Sequence, residues 1–307
     1  MTTTEQKKEK KLILVTGGNA GIGFALCKQL LIEDNCKVYL GARNVGRGMK
    51  AVEDIQKMCV ADDSEKAKDI EFVLIDVSDD TSVKEAATKM KSKLKGTLLY
   101  GLVNNAGVGI KTGSGCVDEL LATNFYGPKR VTEAFVEMID KEQGRIVNVS
   151  SGVASMYLRE QSLEVKQFFT NPETSWEELV SEVEQRKTQD GNVGMGVYGL
   201  SKAALNLLTI QQAKMYASPN YGNIVCASIS PGFIATNLTS GYNAKLTPEE
   251  GTVSIRRCLF SSEIVSGYYY GSDGLRSPLT MSRDPGTPEY EGEEEETIDR
   301  NNNKYNK

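Results

Sequence analysis

The order of apolar segments predicts an α/β fold, a doubly wound parallel sheet with helices on both faces. Three observations point to it. Short apolar runs alternate with amphipathic helical stretches through the first half of the chain. The runs are apolar along most of their length instead of alternating, as burial on both faces of a parallel sheet requires. The first run leads straight into a glycine-rich turn that opens a helix.

The elements follow in order. Lys11 to Thr16 reads as a strand, and Ile22 to Ile32 as a helix with Ile22, Ala25, Leu26 and Leu30 at helical spacing. Lys37 to Leu40 is a second strand and Val45 to Met58 a charged amphipathic helix. Glu71 to Ile75 is a third strand, after which Asp79 and Asp80 open a helix at the end where its dipole favours carboxylates. Leu98 to Val103 is a fourth strand, Asp118 to Asp140 a long helix, and Arg145 to Val149 a fifth strand. Such alternation implies right-handed βαβ units. From about Met156 to Gly194 the rhythm breaks into a helical insertion, whose second helix can be capped by Thr174 or Ser175 with Glu177 or Glu178 in its first turn. A long helix from Tyr198 to Ala217, a strand at Asn223 to Ser228, a helix near Pro248 to Leu259 and a strand around Ser266 to Tyr270 complete the pattern. The division expected is a polar extension over 1–10, one domain over 11–272, and a polar, acidic, solvent-facing tail over 273–307 that is disordered.

Composition removes several function classes. With 36 basic and 41 acidic residues the net charge is −5, which gives no basic footprint for nucleic acid. No run approaches the roughly 18–20 apolar residues of a membrane span. The polar start followed by a short apolar run is not a signal peptide. Six cysteines without a CxxC pair indicate neither a zinc ribbon nor a redox motif, so no metal is expected, and free thiols fit a cytoplasmic protein. The N-x-S/T triplets at Asn148 and Asn237 carry no weight without a secretion signal. There is no histidine at all, which excludes Ser-His-Asp and Cys-His catalysis and the HExxH zinc proteases. No GK[ST] phosphate loop is present.

The segment Thr16-Gly17-Gly18-Asn19-Ala20-Gly21-Ile22-Gly23 lies between the first strand and the first helix. There the glycines allow a tight turn and a close approach to a pyrophosphate, which the helix N-terminus stabilises. Gly17, Asn19, Gly21, Ile22 and Gly23 are therefore candidate nucleotide contacts in a Rossmann-type domain. The second strand ends in Gly41-Ala42-Arg43-Asn44, with no carboxylate to hold ribose hydroxyls. Arginine suits bidentate phosphate contact, so Arg43, beside Asn44, indicates NADP(H) over NAD(H). Arg43 as a plain surface charge is the competing reading, and Arg47 one turn on either assists it or faces water.

Tyr198 and Lys202 stand four apart on one helix face. With them come NNAG (Asn104 to Gly107), Asn124-Phe125-Tyr126-Gly127, IVNVSS (Ile146 to Ser151) and SPG (Ser230 to Gly232). In this order, over about residues 11 to 270, the chain resembles the short-chain dehydrogenase/reductase family. The resemblance implies an NADP(H)-dependent oxidoreductase moving a hydride to or from a carbonyl carbon, with a small carbonyl or alcohol compound as substrate. By that resemblance Tyr198 is the acid or base, Lys202 lowers its pKa and holds the nicotinamide ribose, Asn124 supports a water-linked proton path, and Ser151 bonds the carbonyl oxygen, with Ser150 competing for that role. It also implies cofactor contacts at Asp76 and Val77, at Asn105, Ala106 and Gly107, and at Pro231, Gly232 and Thr236.

The 47 positions from Ser151 to Tyr198 exceed the usual family spacing and resemble the carbonyl reductase branch, where the insertion covers helix faces used elsewhere for association. A monomer is the expectation. Ala20 stands where that branch has a basic residue, which leaves Arg43 more alone. The reading that follows is NADPH-dependent reduction of an aldehyde, ketone or quinone. An oxidative alcohol or steroid-type dehydrogenase and a non-catalytic NADP(H)-binding sensor or scaffold are the competitors.

Overall fold

The computed structural model describes residues 10–60, 65–109, 116–189 and 195–292. Among them, β1 (Leu12–Thr16), β2 (Lys37–Ala42), β3 (Ile70–Leu74), β4 (Gly101–Asn104), β5 (Arg145–Val149), β6 (Val225–Ile229) and β7 (Tyr269–Tyr270) form one parallel sheet in the order β3-β2-β1-β4-β5-β6-β7. The expected doubly wound sheet is what the chain builds. Strand order reverses between β1 and β4, the position at which sheets of this kind bind ligands beyond the strand ends.

Alternation along β1 divides the core. Ile13 and Val15 join one apolar cluster with Leu26 and Leu30 of α1 (Gly21–Ile32), Ile55 of α2 (Val45–Val60) and Leu259, just before the end of the helix that precedes β7. Leu14 joins the other, with Val83 and Met90 of α3 (Asp80–Leu94) and Phe135. Asp79 caps α3 by accepting the Ser82 N–H, which satisfies an otherwise unpaired helix donor.

The helix expected from Asp118 to Asp140 is not continuous. It comprises α4 (Val117–Leu121), a π turn (Ala122–Tyr126), α5 (Gly127–Phe135) and a 3-10 turn (Val136–Met138). Pro128 has no N–H for the Asn124 carbonyl four residues back, so the α-helical ladder breaks there and the helix widens.

The insertion begins earlier than Met156. Its first helix, α6 (Gly152–Arg159), starts directly after Ser151, whose hydroxyl caps it by accepting the Val153 N–H. Then come α7 (Leu163–Thr170) and α8 (Trp176–Gln189), the latter opened by a reciprocal Ser175–Glu178 capping box. Leu158, Val165, Phe169, Leu179 and Val183 of these helices pack on Leu200, Ala203, Ala204 and Leu207 of α9 (Met195–Tyr216) and on Phe125. The outer faces of α9 and the π turn are thus covered from within the chain. The last helix among the described residues is α10 (Val253–Phe260).

The disordered tail expected from residue 273 is corrected as far as Gly292. After β7 the chain doubles back, with Arg276 bridging Tyr270 antiparallel and the Ser277 N–H bonding the Tyr269 carbonyl. Arg283, almost fully buried, pairs with Asp273 and donates to Ser277 Oγ at 3.0 Å. Burial alone would raise the Asp273 pKa, but the Gly286 and Leu275 N–H groups and Arg283 hold it below the ordinary value. These pairs within the segment fold a polar stretch whose composition alone reads as solvated. The polar extension before residue 10 and the acidic run after Gly292 lie outside the described residues.

Candidate active site

All candidate positions outside α9 and the π turn follow the C-terminal ends of strands. After β1, Gly17 and Gly21 adopt φ of +65° and +54°, conformations that cost other residues strain. A Cβ on Gly17 would meet Ala106 Cα at 2.8 Å, and one on Gly21 would meet Thr236 Cγ2 at 3.2 Å. The glycine turn is thus pressed between the segment after β4 and the segment after β6. Thr16, which the sequence reading passed over, makes the first junction: its Oγ1 accepts the Asn105 and Ala106 N–H groups, each at 3.1 Å, and Asn105 Nδ2 donates to the Thr16 carbonyl at 2.9 Å. Asn19 and Ile22 lie on the same turn, and Ala20 sits at the α1 N-terminus without a side-chain cap.

Arg43 and Asn44 follow β2, both exposed, on the far side of β1 from Ser151. Asn44 Oδ1 accepts the Arg47 N–H at 2.9 Å and so starts α2, a structural role. Asp76 and Val77 follow β3. The Asp76 carboxylate accepts from the Ser78 N–H and hydroxyl, and Arg130 holds the Val77 carbonyl at 2.7 Å.

Beneath the site lies a buried polar ladder that no spacing rule predicted. Asn104 Nδ2 donates to Thr132 and to Asn148 Oδ1, and Asn148 Nδ2 donates to Thr209 and Gln212 of α9. Parallel pairing sets Asn104 opposite Asn148. The ladder fixes α5 and α9 over the centre of the sheet.

The catalytic candidates converge above it. Tyr198 is half-buried, and its phenol lies near the Ser151 hydroxyl. Burial pushes the phenol pKa up, and the Ser151 contact partly opposes this. Lys202 is buried, with Nζ 5.9 Å from the Tyr198 ring centre and donating to the Val149 carbonyl at 2.8 Å. Burial lowers its pKa to about 8. Ser150 and Ser151 divide clearly here, because Ser150 Oγ bonds the Lys202 carbonyl at 3.2 Å while Ser151 faces Tyr198. Asn124 spends its amide on Val108, accepting the N–H and donating to the carbonyl, each at 2.9 Å. A Cβ on Gly107 would lie 3.3 Å from Asn124 Oδ1 and 3.9 Å from Lys202 Nζ, which brings those three positions together. Pro231 and Gly232 close the site from β6, with Gly232 at φ +91°.

A deep serine-tyrosine-lysine group beside a glycine turn, on a sheet with this strand order, defines an oxidoreductase of the dinucleotide-binding kind. The chain belongs to the short-chain dehydrogenase family: the profile of that family, described as short chain dehydrogenase, matches residues 11–163. It is 32% identical over 296 residues to (+)-neomenthol dehydrogenase of Arabidopsis thaliana, covering 84% of this chain and 94% of the relative. It is 30% identical over 252 residues to carbonyl reductase 1 of Homo sapiens, whose name specifies NADPH, covering 78% and 86%. Among solved structures, salutaridine reductase from Papaver somniferum superposes with a TM-score of 0.70 at 26% identity, over 85% of this chain and 99% of that one.

Proposed function

We propose that the chain reduces an aldehyde, ketone or quinone with NADPH, Tyr198 acting as general acid. The observation that carries this reading is the convergence of three groups, the Tyr198 phenol near the Ser151 hydroxyl and the buried Lys202 ammonium 5.9 Å from the Tyr198 ring centre. The residues fit a dinucleotide: in the turn of Gly17, Asn19, Gly21, Ile22 and Gly23 the glycines leave open backbone at a helix N-terminus. Asp76, Val77, Asn105, Ala106 and Gly107 would hold the adenosine side, and Pro231, Gly232 and Thr236 the nicotinamide side. A bound nicotinamide supplies the hydride.

The chain's own groups do the rest. Ser151 Oγ accepts the Val153 N–H and so keeps its one proton to donate, which a bound carbonyl oxygen would take in place of the phenol, stabilising its developing charge. The raised pKa keeps Tyr198 a neutral O–H at neutral pH, the form that gives a proton to that oxygen. Lys202, fixed on the Val149 carbonyl, sets positive charge beside the phenolate left behind. A neutral phenol favours reduction, whereas oxidation starts from the phenolate. Arg43 is the group for the 2′-phosphate. Asn124 holds the Val108 segment against Lys202. Its role in a proton path belongs to the same reading.

We take the protein to be a cytoplasmic monomer acting on small molecules. Buried thiols with no disulfide among the described residues fit a reducing compartment. The insertion packed on α9 fits a chain that needs no second copy. Sedimentation at dimer mass would count against the monomer. An oxidative dehydrogenase is the second reading, favoured by the relative named a dehydrogenase.

The test pairs a fluorescence titration with NADPH and NADH with NADPH consumption across a panel of carbonyl compounds. Tyr198→Phe is expected to lower kcat roughly 10²–10⁴-fold while leaving cofactor Kd within about twofold. Turnover that survives this change would sink the mechanism. NADH preference would move the search toward alcohol oxidation, and binding of neither cofactor would favour a non-catalytic role.

A further inference from the structure

Helix α6 starts directly after Ser151, and two contacts that the chemistry above does not use decide where α6 lies. The first is at its start. Gly152 is the first residue of α6, so its N–H has no partner within the helix. It donates instead to Ser230 Oγ at 3.0 Å, across 78 positions of sequence. Ser230 is buried and follows β6 directly. The sheet pins its backbone. Strands β5 and β6 pair as far as Val149 opposite Ile229, the Ser150 N–H bonds the Ile229 carbonyl at 2.8 Å, and the Ser230 N–H bonds the Tyr270 carbonyl at 2.8 Å. The same Ser230 Oγ accepts the Gly232 N–H at 3.4 Å. A hydroxyl oxygen has two acceptor sites. Here one holds the helix that begins at Ser151, and the other holds the turn after β6.

The second contact faces α9. Gly199 directly follows Tyr198 and is buried inside the helix. A Cβ there would meet Tyr157 Cβ at 2.6 Å and the Val153 carbonyl oxygen at 3.2 Å, both on α6. The α9 backbone thus lies directly on α6 beside Tyr198. Glycine inside a helix costs stability relative to alanine, and Gly199 has no positive φ, so the close approach is what calls for it. An added methyl has to drive α6 outward, because the atom it meets is a Cβ and not the movable end of a side chain. We infer that Ser230 and Gly199 are positioning residues that act through α6: Ser230 fixes its start on the β6 side, and Gly199 sets how near it comes to α9. Together they place Ser151 relative to Tyr198. The inference rests on the reductase reading.

The experiment compares Ser230→Ala and Gly199→Ala with wild type in the full chain. Each is expected to lower kcat for a ketone roughly tenfold while NADPH Kd stays within about threefold. The primary isotope effect with 4-deuterated NADPH should grow, since a displaced Ser151 slows the chemical step and not product release. Ser230→Ala should also quicken hydrogen exchange at the Gly152 amide, a readout that needs no turnover. Ser230→Thr keeps the acceptor oxygen and should restore both kcat and slow exchange. Gly46→Ala in α2, where the new Cβ meets nothing nearer than Asn44 Oδ1 at 3.6 Å, is the control and should raise Tm and keep kcat. If Gly199→Ala fails to fold, Ser230→Ala carries the test by itself. Wild-type kcat and isotope effect in the folded variants, with unchanged exchange at Gly152 in Ser230→Ala, would overturn the inference. A wild-type chain that turns over no carbonyl overturns the reductase reading instead, and exchange at Gly152 then decides the Ser230 contact by itself.

Discussion

Lys202 is expected to make the folded protein less stable than it could be. Its ammonium sits 4% exposed with a pKa lowered by burial from 10.5 to about 8. Because the folded value lies below the unfolded one, the unfolded chain binds more protons between pH 8 and 10.5, and stability rises with pH through that window. Below pH 8 the full penalty applies, about 3 kcal/mol. Lys202→Met removes the charge and also the bond to the Val149 carbonyl, a loss of roughly 1–2 kcal/mol. The net expectation is a variant more stable than wild type at pH 7 by about 1–2 kcal/mol, or roughly 2–6 °C in Tm. That advantage should vanish or reverse near pH 10, and kcat should fall by roughly 10²-fold or more at every pH. Thermal melts of both proteins without cofactor at pH 7 and pH 10 provide the test. A Lys202→Met protein that is less stable by the same margin at both pH values would refute the reasoning, because the buried charge would then carry no net cost.

Three further outcomes follow from the geometry. Arg43→Ala should raise NADPH Kd roughly 10–100-fold, the worth of a charge-assisted phosphate contact, and leave NADH Kd within about twofold. An unchanged NADPH Kd would place the 2′-phosphate elsewhere. Ser151→Ala should lower kcat roughly 10²-fold, whereas Ser150→Ala should keep kcat and cost about 1 kcal/mol through its lost bond to the Lys202 carbonyl. The reverse pattern in kinetics and melts would exchange their roles. Gly17→Ala meets both a positive φ and Ala106 Cα at 2.8 Å, so it should cost about 1–3 kcal/mol and weaken cofactor binding together. A melt within 0.5 kcal/mol of wild type would show that the turn can relax.

The sheet was legible because a parallel strand buried on both faces leaves a local apolar run, and β1, β2, β4, β5 and β6 each do, while the edge strand β3 keeps an apolar run with only Ile70 and Val73 buried. The π turn could also have been read. Pro128, four residues after Asn124, is a missing donor at a known distance, and periodicity alone passes over it. The start of α6 was missed because Ser151-Gly152-Val153-Ala154 lacks an amphipathic period; its start is set by the Ser151 cap and by the Gly152 bond to Ser230, a residue 78 positions away. Nothing local separates Ser150 from Ser151, since the difference lies in what each touches across the sheet. The fold of residues 273–292 escaped for the same reason: Asp273, Ser277 and Arg283 look like solvated polar residues until they find one another. The polar ladder from Thr132 to Gln212 shows only as polar side chains scattered through four segments of sequence.

The return of the chain after β7 has a consequence for how the molecule behaves among copies of itself. A parallel sheet ends in two rows of backbone groups ready to accept another strand, and such edges promote aggregation. At one end Arg276 closes the row by bridging Tyr270, and its guanidinium is clamped 3.8 Å from the Tyr268 ring centre and 5.1 Å from that of Tyr290. At the other, Glu71 of β3 is held between Lys37 and Lys93, so charge lines the rim. The segment that looked like a solvated tail is therefore an edge guard, and what it protects is colloidal behaviour at high concentration.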